Sequence, residues 1–413
     1  MANIYFFNPE HDLALANESP HYQPPKNVVK FADDLSLLPL WFASNDGLFY
    51  GRNDKCFVHS SLKVDESWLS EERRLLGNCC KWGDKKLFFA ENKENFLVIP
   101  WGKDHAFCHG LERFGAAPDA SECDLIREVS RRDFSLKIAQ HIHSKGLYGN
   151  MTPPCSYLSL DDIERRATEA SPTLFKAPLS GSGRGLCWCR NGFEKRVENW
   201  AAKTLQTQGC VVAEPIWDKV ADFAFEFGVS LNPEATECIT IQDFGLSLFE
   251  TDSAGVYRKN RLASNSDILS FLSKYVPADE IQNAFHEVKK AFVANYAKRL
   301  LSVRKRAQYF IGVDMLIGKD ANGKFILNPC VEVNMRMTMG LASRVFYDKY
   351  VEEGKLGEFT IDNAREPGAL LADDQRRRSE NPLIIKDGKI VSGYMSLTPV
   401  MHNTLSRARI EIF

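Results

Sequence analysis

No apolar run in this chain approaches the roughly 18 residues that a membrane-spanning helix needs. No basic excess is present either: 52 Lys+Arg stand against 54 Asp+Glu, a net charge of −2. A protein that wraps phosphodiester backbone carries a basic surplus or stripe, so nucleic acid is not expected as its main partner. Small phosphorylated ligands stay open, because a few local donors hold those. There is no low-complexity segment and no visible repeat, and the N-terminus lacks the basic stretch of a signal peptide. The 11 cysteines are odd in number and form no C-x-x-C pair; Cys79-Cys80 and Cys187-x-Cys189 miss the usual zinc spacings. Free thiols in a reducing cytosol are the expectation. What is present is an ordinary globular balance, 44% apolar and 26% charged over 413 residues, enough for two or three packed units.

The opening run of residues 1–7 reads as a buried strand, followed by the polar loop Asn8-Pro9-Glu10-His11-Asp12 and, later, a second strand at Phe96–Trp101. These outline an N-terminal α/β unit over residues 1–125. Phe134, Ile138, Ile142 and Leu147 recur at helical spacing, with Ser130 or Asp133 as the cap and Gly146 as the stop. Thr173–Lys176 and Cys210–Glu214 read as strands. Residues 281–306 give the longest helical signal, with Phe285, Val288, Phe292, Tyr296 and Leu300 on one stripe and a basic end at Lys298, Arg299 and Arg304–Arg306. Strands Tyr309–Ile317 and Lys324–Val333 flank the hairpin signal Asn322-Gly323, and a further hairpin is expected at Asp387-Gly388. Alternating helices and strands predict an α/β or α+β fold.

Three clusters carry chemistry. In Lys176-Ala177-Pro178-Leu179-Ser180-Gly181-Ser182-Gly183-Arg184-Gly185, glycines at alternate positions permit close backbone approach, and successive N–H groups can converge on an anion beside a strand-borne lysine. The same stretch also reads as a flexible linker or hairpin turn. In the second cluster, Glu332 and Asn334 lie two apart on one strand and share a face. With the turn centred near Gly323, Asp314 stands almost opposite Glu332. Two carboxylates and an amide are what Mg²⁺ takes when waters and phosphates complete its shell. Arg336 continues that face and can grip a phosphate or carboxylate bidentately. The plainer reading is the wet face of an alternating strand. In the third, a strand ending at Glu214-Pro215-Ile216 can offer backbone groups to an adenine edge, with Ile216 and Trp217 as an apolar wall and Asp222 accepting from a ribose; it also passes as an ordinary strand and turn.

Taken in order, these clusters over residues 126 to 345 resemble the ATP-grasp superfamily. The resemblance implies an ATP-grasp fold behind an N-terminal domain on the substrate side, with a small lobe over 126–205, a large lobe over 206–370 and a C-terminal hairpin extension over 371–413. It places Lys176 on the phosphate lysine, residues 180–185 on the loop over the phosphates, Glu214 to Ile216 on the adenine hinge, Asp222 on the ribose acid, and Asp314, Glu332 and Asn334 on the metal. It implies ATP with Mg²⁺ (or Mn²⁺) as cofactors. The activity it implies is a cytoplasmic ligase that activates a small-molecule or peptide carboxylate as an acyl phosphate for attack by an amine or thiol. Arg336 and Arg258 are its candidates for stabilising the transferring phosphoryl group, with Arg261 a lesser one. A kinase and a non-catalytic ATP-binding protein are the alternatives, and a homodimer is left open. Arg131-Arg132 stand where the family's first ATP-contacting lysine would be sought.

Four other features have readings of their own. The loop Asn8–Asp12 either helps form the acceptor pocket through His11 and Asp12 or is a capped turn. His105, Cys108 and His109 are read as helix surface and core rather than a zinc site. Arg376–Arg378 is read as a solvated loop, and Trp41 and Phe42 as core.

Overall fold

The computed structural model describes residues 2–43, 55–64, 73–76, 80–93, 96–116, 121–146, 153–169, 172–181, 185–231, 238–252, 255–303, 307–320 and 322–413. The expectations for Leu147, Cys79, Ser182, Gly183, Arg184 and residues 304–306 lie outside the described residues. Helices and sheets are both present, as the alternating pattern predicts, and no helix among the described residues is long and apolar enough to cross a membrane.

The first apolar run forms β1 (Ala2–Phe6), buried at every residue. It lies in a parallel sheet between β2 (Lys55–His59) and β4 (Phe96–Pro100), with β3 (Cys80–Gly83) outermost. Both faces are covered, which explains why the strand is apolar on both, with Asn3 its one polar residue. Ile4 and Phe6 pack with Phe88, Phe89 and Leu111, whereas Tyr5 and Phe7 point the other way into a cluster containing Trp41, Phe42 and Trp101.

A second sheet is antiparallel in the order β5-β8-β6-β7, built from β5 (Cys155–Tyr157), β6 (Thr173–Lys176), β7 (Leu186–Cys189) and β8 (Val211–Pro215). Helices Leu160–Glu169 and Lys195–Gln208 supply Ile163, Val197 and Ala201 to its core, where they meet Phe175, Val211 and Ala213.

The largest sheet has nine strands. They are β9 (Asp218–Leu231), β10 (Ile239–Thr251), β11 (Tyr257–Leu262), β12 (Ala307–Lys319), β13 (Phe325–Asn334), β14 (Gly357–Asn363), β15 (Ile384–Lys386), β16 (Lys389–Ser396) and β17 (Ser406–Ile412). Their order is β13-β12-β9-β10-β11-β14-β17-β16-β15. On β9 and β12 the odd residues, Phe223, Phe225, Phe227, Ile311, Val313 and Met315, enter one core with Ile138, Ile142, Ala284 and Val288 from helices Arg132–His143 and Ala278–Phe292. The even residues of β9 and β12 therefore face away from that core, as do Glu332 and Asn334 of β13, whose Cys330 enters it.

Several local expectations change. Neither Ser130 nor Asp133 caps helix Arg132–His143: Arg131 holds that position without a side-chain cap, and Asp133 accepts from its Nε at 2.9 Å. The long helix expected over 281–306 runs as α-helix to Phe292, as a π-turn over Val293–Ala297, and as α-helix again over Lys298–Val303. The π-turn is where buried Tyr296 donates to the Phe134 carbonyl at 3.0 Å. Arg376–Arg378 is not a loop; it lies in helix Ala369–Glu380, paired with Asp373, Asp374, Glu380 and Glu411. Residues 371–413 do contain the hairpin at Asp387-Gly388 (β15–β16), but they are no appendage. Strand β17 lies between β14 and β16, and its Ala408, Ile410 and Ile412 pack in the same core as Trp41.

Phe227 is fully buried, with ring centroids of Phe225 and Phe292 both 5.5 Å away. Phe227→Ala should cost about 3–5 kcal/mol of stability, read as a lowered denaturant midpoint of the ligand-free protein.

Candidate active site

The even face of β9 and β12, with Glu332 and Asn334 of β13, fronts a cavity of about 750 Å³ that also touches the second sheet and the loop after β1. Register brings the acidic hairpin together: Asp314 pairs directly with Glu332, and Gly312 pairs with both Asn334 and Glu226. Asp314, Glu332, Asn334 and Arg336 all line the cavity, as do Lys176, Ser180, Gly181, Glu214 and Asp222. Lys176, at the end of β6, is buried and ion-paired with Glu214 on adjacent β8. Asp222 accepts from Lys219 Nζ and from Thr251 Oγ1, the latter at 3.0 Å.

Other expected residues are not brought in. Ile216 does not line the cavity; Trp217, one residue on, supplies the apolar wall. Gly185 does not line it either: a Cβ there would stand 2.3 Å from Ser180 Oγ, so this glycine lets the chain double back, closed by the Ala177 N–H to Gly185 carbonyl bond at 2.8 Å. Arg258 is exposed on β11 and absent from the lining, and exposed Arg261 lies 5.2 Å over the Phe271 ring. From this strand only Tyr257 and Asn260 reach the cavity wall, beside a register shift between β10 and β11 at Glu250/Thr251. The Asn8–Asp12 loop divides between its two readings. His11 is buried with Nδ1 3.1 Å from Asp104 Oδ2 and does not reach the cavity, while Asp12 lines it.

Two residues without an assigned role prove central. Arg132, at the start of its helix, donates to Glu332 Oε2 at 2.7 Å, to Ser180 Oγ at 2.7 Å and to the Ala177 carbonyl at 2.8 Å. It thereby ties the glycine loop to the acidic hairpin across the cavity. Its signal was the Arg131-Arg132 pair in place of a lysine. Glu226, buried on β9, accepts from Ser247 Oγ and Thr338 Oγ1, both at 3.0 Å. Its signal was an acidic residue between Phe225 and Phe227 in the alternating strand.

The electrostatics follow from these partners. Burial opposes the ionisation of Asp12, yet Arg336 outweighs it with two hydrogen bonds, Nε to Oδ1 at 2.7 Å and Nη2 to Oδ2 at 2.8 Å, and holds the carboxyl below its usual range. Asp314 is pushed well above that range, first by burial and then by the negative charges of Glu332 and Glu226. Its hydrogen-bond partner is Asn334 Nδ2 at 3.2 Å. An oxygen set in this condition suits a hard divalent cation, whose charge would reverse the shift. Among the described residues no three His, Cys, Asp or Glu side chains form a self-sufficient metal site. Asp314, Glu332 and Asn334 bring two carboxylates and one amide to the cavity, fewer oxygens than a divalent ion's full shell.

No family model matches the chain, and no curated protein sequence matches it. Among solved structures it is similar to N5-carboxyaminoimidazole synthetase of Staphylococcus aureus complexed with ADP, with 13% identity over 100% of this chain and 93% of that one, TM-score 0.48. It is also similar to the biotin carboxylase domain of Hydrogenobacter thermophilus 2-oxoglutarate carboxylase, a complex with MgADP and bicarbonate (11% identity, 99% and 86% coverage, TM-score 0.49). A third is L-amino acid ligase of Bacillus licheniformis (11% identity, 100% and 93% coverage, TM-score 0.44).

Burial raises Glu226 to about 7 against the two hydroxyl hydrogen bonds that lower it. A carboxyl raised on folding binds its proton more tightly in the native state, so its contribution is fully present below the unfolded value of 4.5 and is lost as pH rises through about 7. Glu226→Gln should therefore gain melting temperature relative to the parent as pH rises from 4.5 to about 7, and the gap should level off above that. Melting curves across that window measure it, and parallel profiles would contradict the assignment.

Proposed function

We propose that this chain is an ATP-grasp-type ligase that uses ATP and Mg²⁺ to activate a small-molecule carboxylate as an acyl phosphate for attack by an amine or thiol. One observation carries the reading: Lys176 and Glu214 from the four-stranded antiparallel sheet, and Asp222, Asp314, Glu332 and Asn334 from the large sheet with Arg336 just past β13, converge on a single cavity. Residues far apart in sequence supply each part of a nucleotide site there.

In this reading Trp217, Leu174 and Leu186 wall the base, with the β8 end offering its backbone edge, and Asp222 accepts from the ribose. Lys176 keeps two of its three N–H donors for phosphate after pairing with Glu214. Arg132 holds the glycine loop over the phosphates through Ser180 and the Ala177 carbonyl. Asp314, Glu332 and Asn334 hold the divalent ion, which neutralises phosphate charge as the phosphoryl group moves. Arg336, aimed by Asp12, meets the charge that develops on the phosphoryl and acyl phosphate oxygens. Positioning and charge neutralisation are the protein's share of such a transfer. The opposite wall of the cavity, with Leu13, Asn27, Lys30, Phe31, Asn363 and Ser406, is left for the substrates.

ATP with Mg²⁺ should raise the melting temperature of the protein, and chelation by EDTA should abolish the Mg²⁺-dependent part. Lys176→Ala should weaken ATP binding about ten- to a hundredfold, the worth of a hydrogen bond to a charged group. Glu332→Ala should remove the Mg²⁺-dependent part while the variant still folds, since Glu332 sits at the cavity rather than in the apolar core. Incubation with ATP, Mg²⁺, carboxylate mixtures and hydroxylamine should yield hydroxamates. Phosphate transfer without hydroxamate would identify a kinase instead, and no nucleotide-dependent shift would refute the nucleotide site.

A further inference from the structure

The charged groups of the cavity wall pair off with a remainder. Its five cationic side chains are each ion-paired: Arg132 with Glu332, Lys176 with Glu214, Lys219 with Asp222, Arg336 with Asp12, and Lys30 with Asp34. Of the six carboxylates on the wall, these pairs occupy all except Asp314 and Glu226. Asp314 belongs to the metal set. Glu226 is left over: a carboxylate 1% exposed, facing the cavity, with no cation among the described residues in hydrogen-bond contact.

Its surroundings are built around it. Ser247 Oγ donates to Oε1 and Thr338 Oγ1 donates to Oε2, both at 3.0 Å. Thr338 Oγ1 is itself held by the Leu341 N–H at 2.9 Å, as N-cap of helix Met339–Tyr350. Glycine closes both flanks: a Cβ at Gly340 would stand 2.1 Å from Oε1, and one at Gly312 2.8 Å from Oε2. Any side chain at either position would evict the carboxylate.

With both hydroxyl protons directed at Glu226, the subsite in its ionised form offers carboxylate oxygens and hydroxyl lone pairs, acceptors only. An ammonium group carries three donors and no acceptor and matches this set. A carboxylate, phosphate or carbonyl group meets no donor there, and a thiol brings one weak donor to a charged acceptor. The row Glu226–Gly312–Asn334 lies two residues from the row Ala224–Asp314–Glu332 on the antiparallel strands, about 7 Å along them. A nitrogen held by Glu226 is thus within one functional group's reach of the metal set.

We propose that Glu226, with Ser247 and Thr338, is the binding site for the amino group of the acceptor substrate, so that the acceptor is an amine rather than a thiol. This rests on the ligase reading above and names its second substrate class. Glu226 acts here by binding and orienting the nitrogen.

The test is calorimetric titration of the full chain, saturated with ADP and Mg²⁺, with the free proteinogenic amino acids at millimolar concentration. The N-acetyl and 2-hydroxy counterparts of each binder, and cysteamine S-blocked or N-blocked, are titrated in parallel. At least one free amine should bind, its N-acetyl and hydroxy counterparts should not, and Glu226→Gln should weaken it at least tenfold with the ADP–Mg²⁺ affinity retained. Retained ADP–Mg²⁺ affinity also shows that the variant is folded. Equal affinity of Glu226→Gln for the amine, equal binding of the counterparts, preference for the N-blocked thiol, or no binding by any free amine would each overturn the assignment. Failure of the parent to bind ADP–Mg²⁺ would instead strike the nucleotide site, a separate outcome.

Discussion

The pleat of β9, β12 and β13 sorts one set of residues from another, and the site depends on that sorting. Successive side chains on a strand point to opposite faces, so Phe223, Phe225, Phe227, Val313 and Met315 can fill a dry core only if Asp222, Glu226, Asp314, Glu332 and Asn334 all emerge on the other side. Burying the odd face against helices Arg132–His143 and Ala278–Phe292 therefore fixes the register as well as the stability of the sheet. A slip of one residue would exchange the two faces. The acidic face is held in place by the core behind it.

Ionised groups gathered this closely need company. Removing one partner of a fully buried pair such as Lys176–Glu214 leaves a charge that neither water nor protein satisfies, at a cost of about 3–5 kcal/mol. The cavity meets this with pairs that bridge separate parts of the chain: Arg132 to Glu332, Arg336 to Asp12, Lys176 to Glu214. Each pair also positions a cation where the nucleotide reading needs one. Asp314 and Glu226 stand outside the pairing, and burial raises both. Positions whose ionisation is made costly by the fold are where a bound cation has most to contribute.

The other two sheets supply what the large sheet cannot. β1 ends at a loop whose Asn8 side chain exchanges hydrogen bonds with Gly102, 2.7 Å from Nδ2 to the carbonyl and 3.3 Å from the amide N–H to Oδ1. That contact ties the loop to the end of β4, while Asp12 one turn later reaches Arg336. The C-terminal strands join the same core as Trp41, whose Nε1 donates to the Leu397 carbonyl at 2.6 Å. Ser406 and Asn363, at the ends of β17 and β14, thereby come to the cavity edge.

Much of this was legible in the linear order of residues, because it depends on local periodicity. The buried β1 run, the lysine-bearing β6, and the Asp314–Glu332 pairing across an Asn-Gly turn follow from alternation and turn chemistry, which act within a few neighbours. What escaped was whatever depends on the company a side chain keeps across the fold. Arg258 and Arg132 are both arginines beside other charges in sequence, yet one is exposed on β11 and the other spans the cavity. His11 and Asp12 are adjacent, and only the direction of a helical turn sends one to Asp104 and the other to Arg336. Glu226 looked like one polar residue in an alternating strand until Ser247, Thr338, Gly312 and Gly340 closed around it. Local pattern determined which faces are wet and which are dry; only tertiary packing decided which wet residues meet, because burial and pairing are properties of neighbours that the chain brings together from far away.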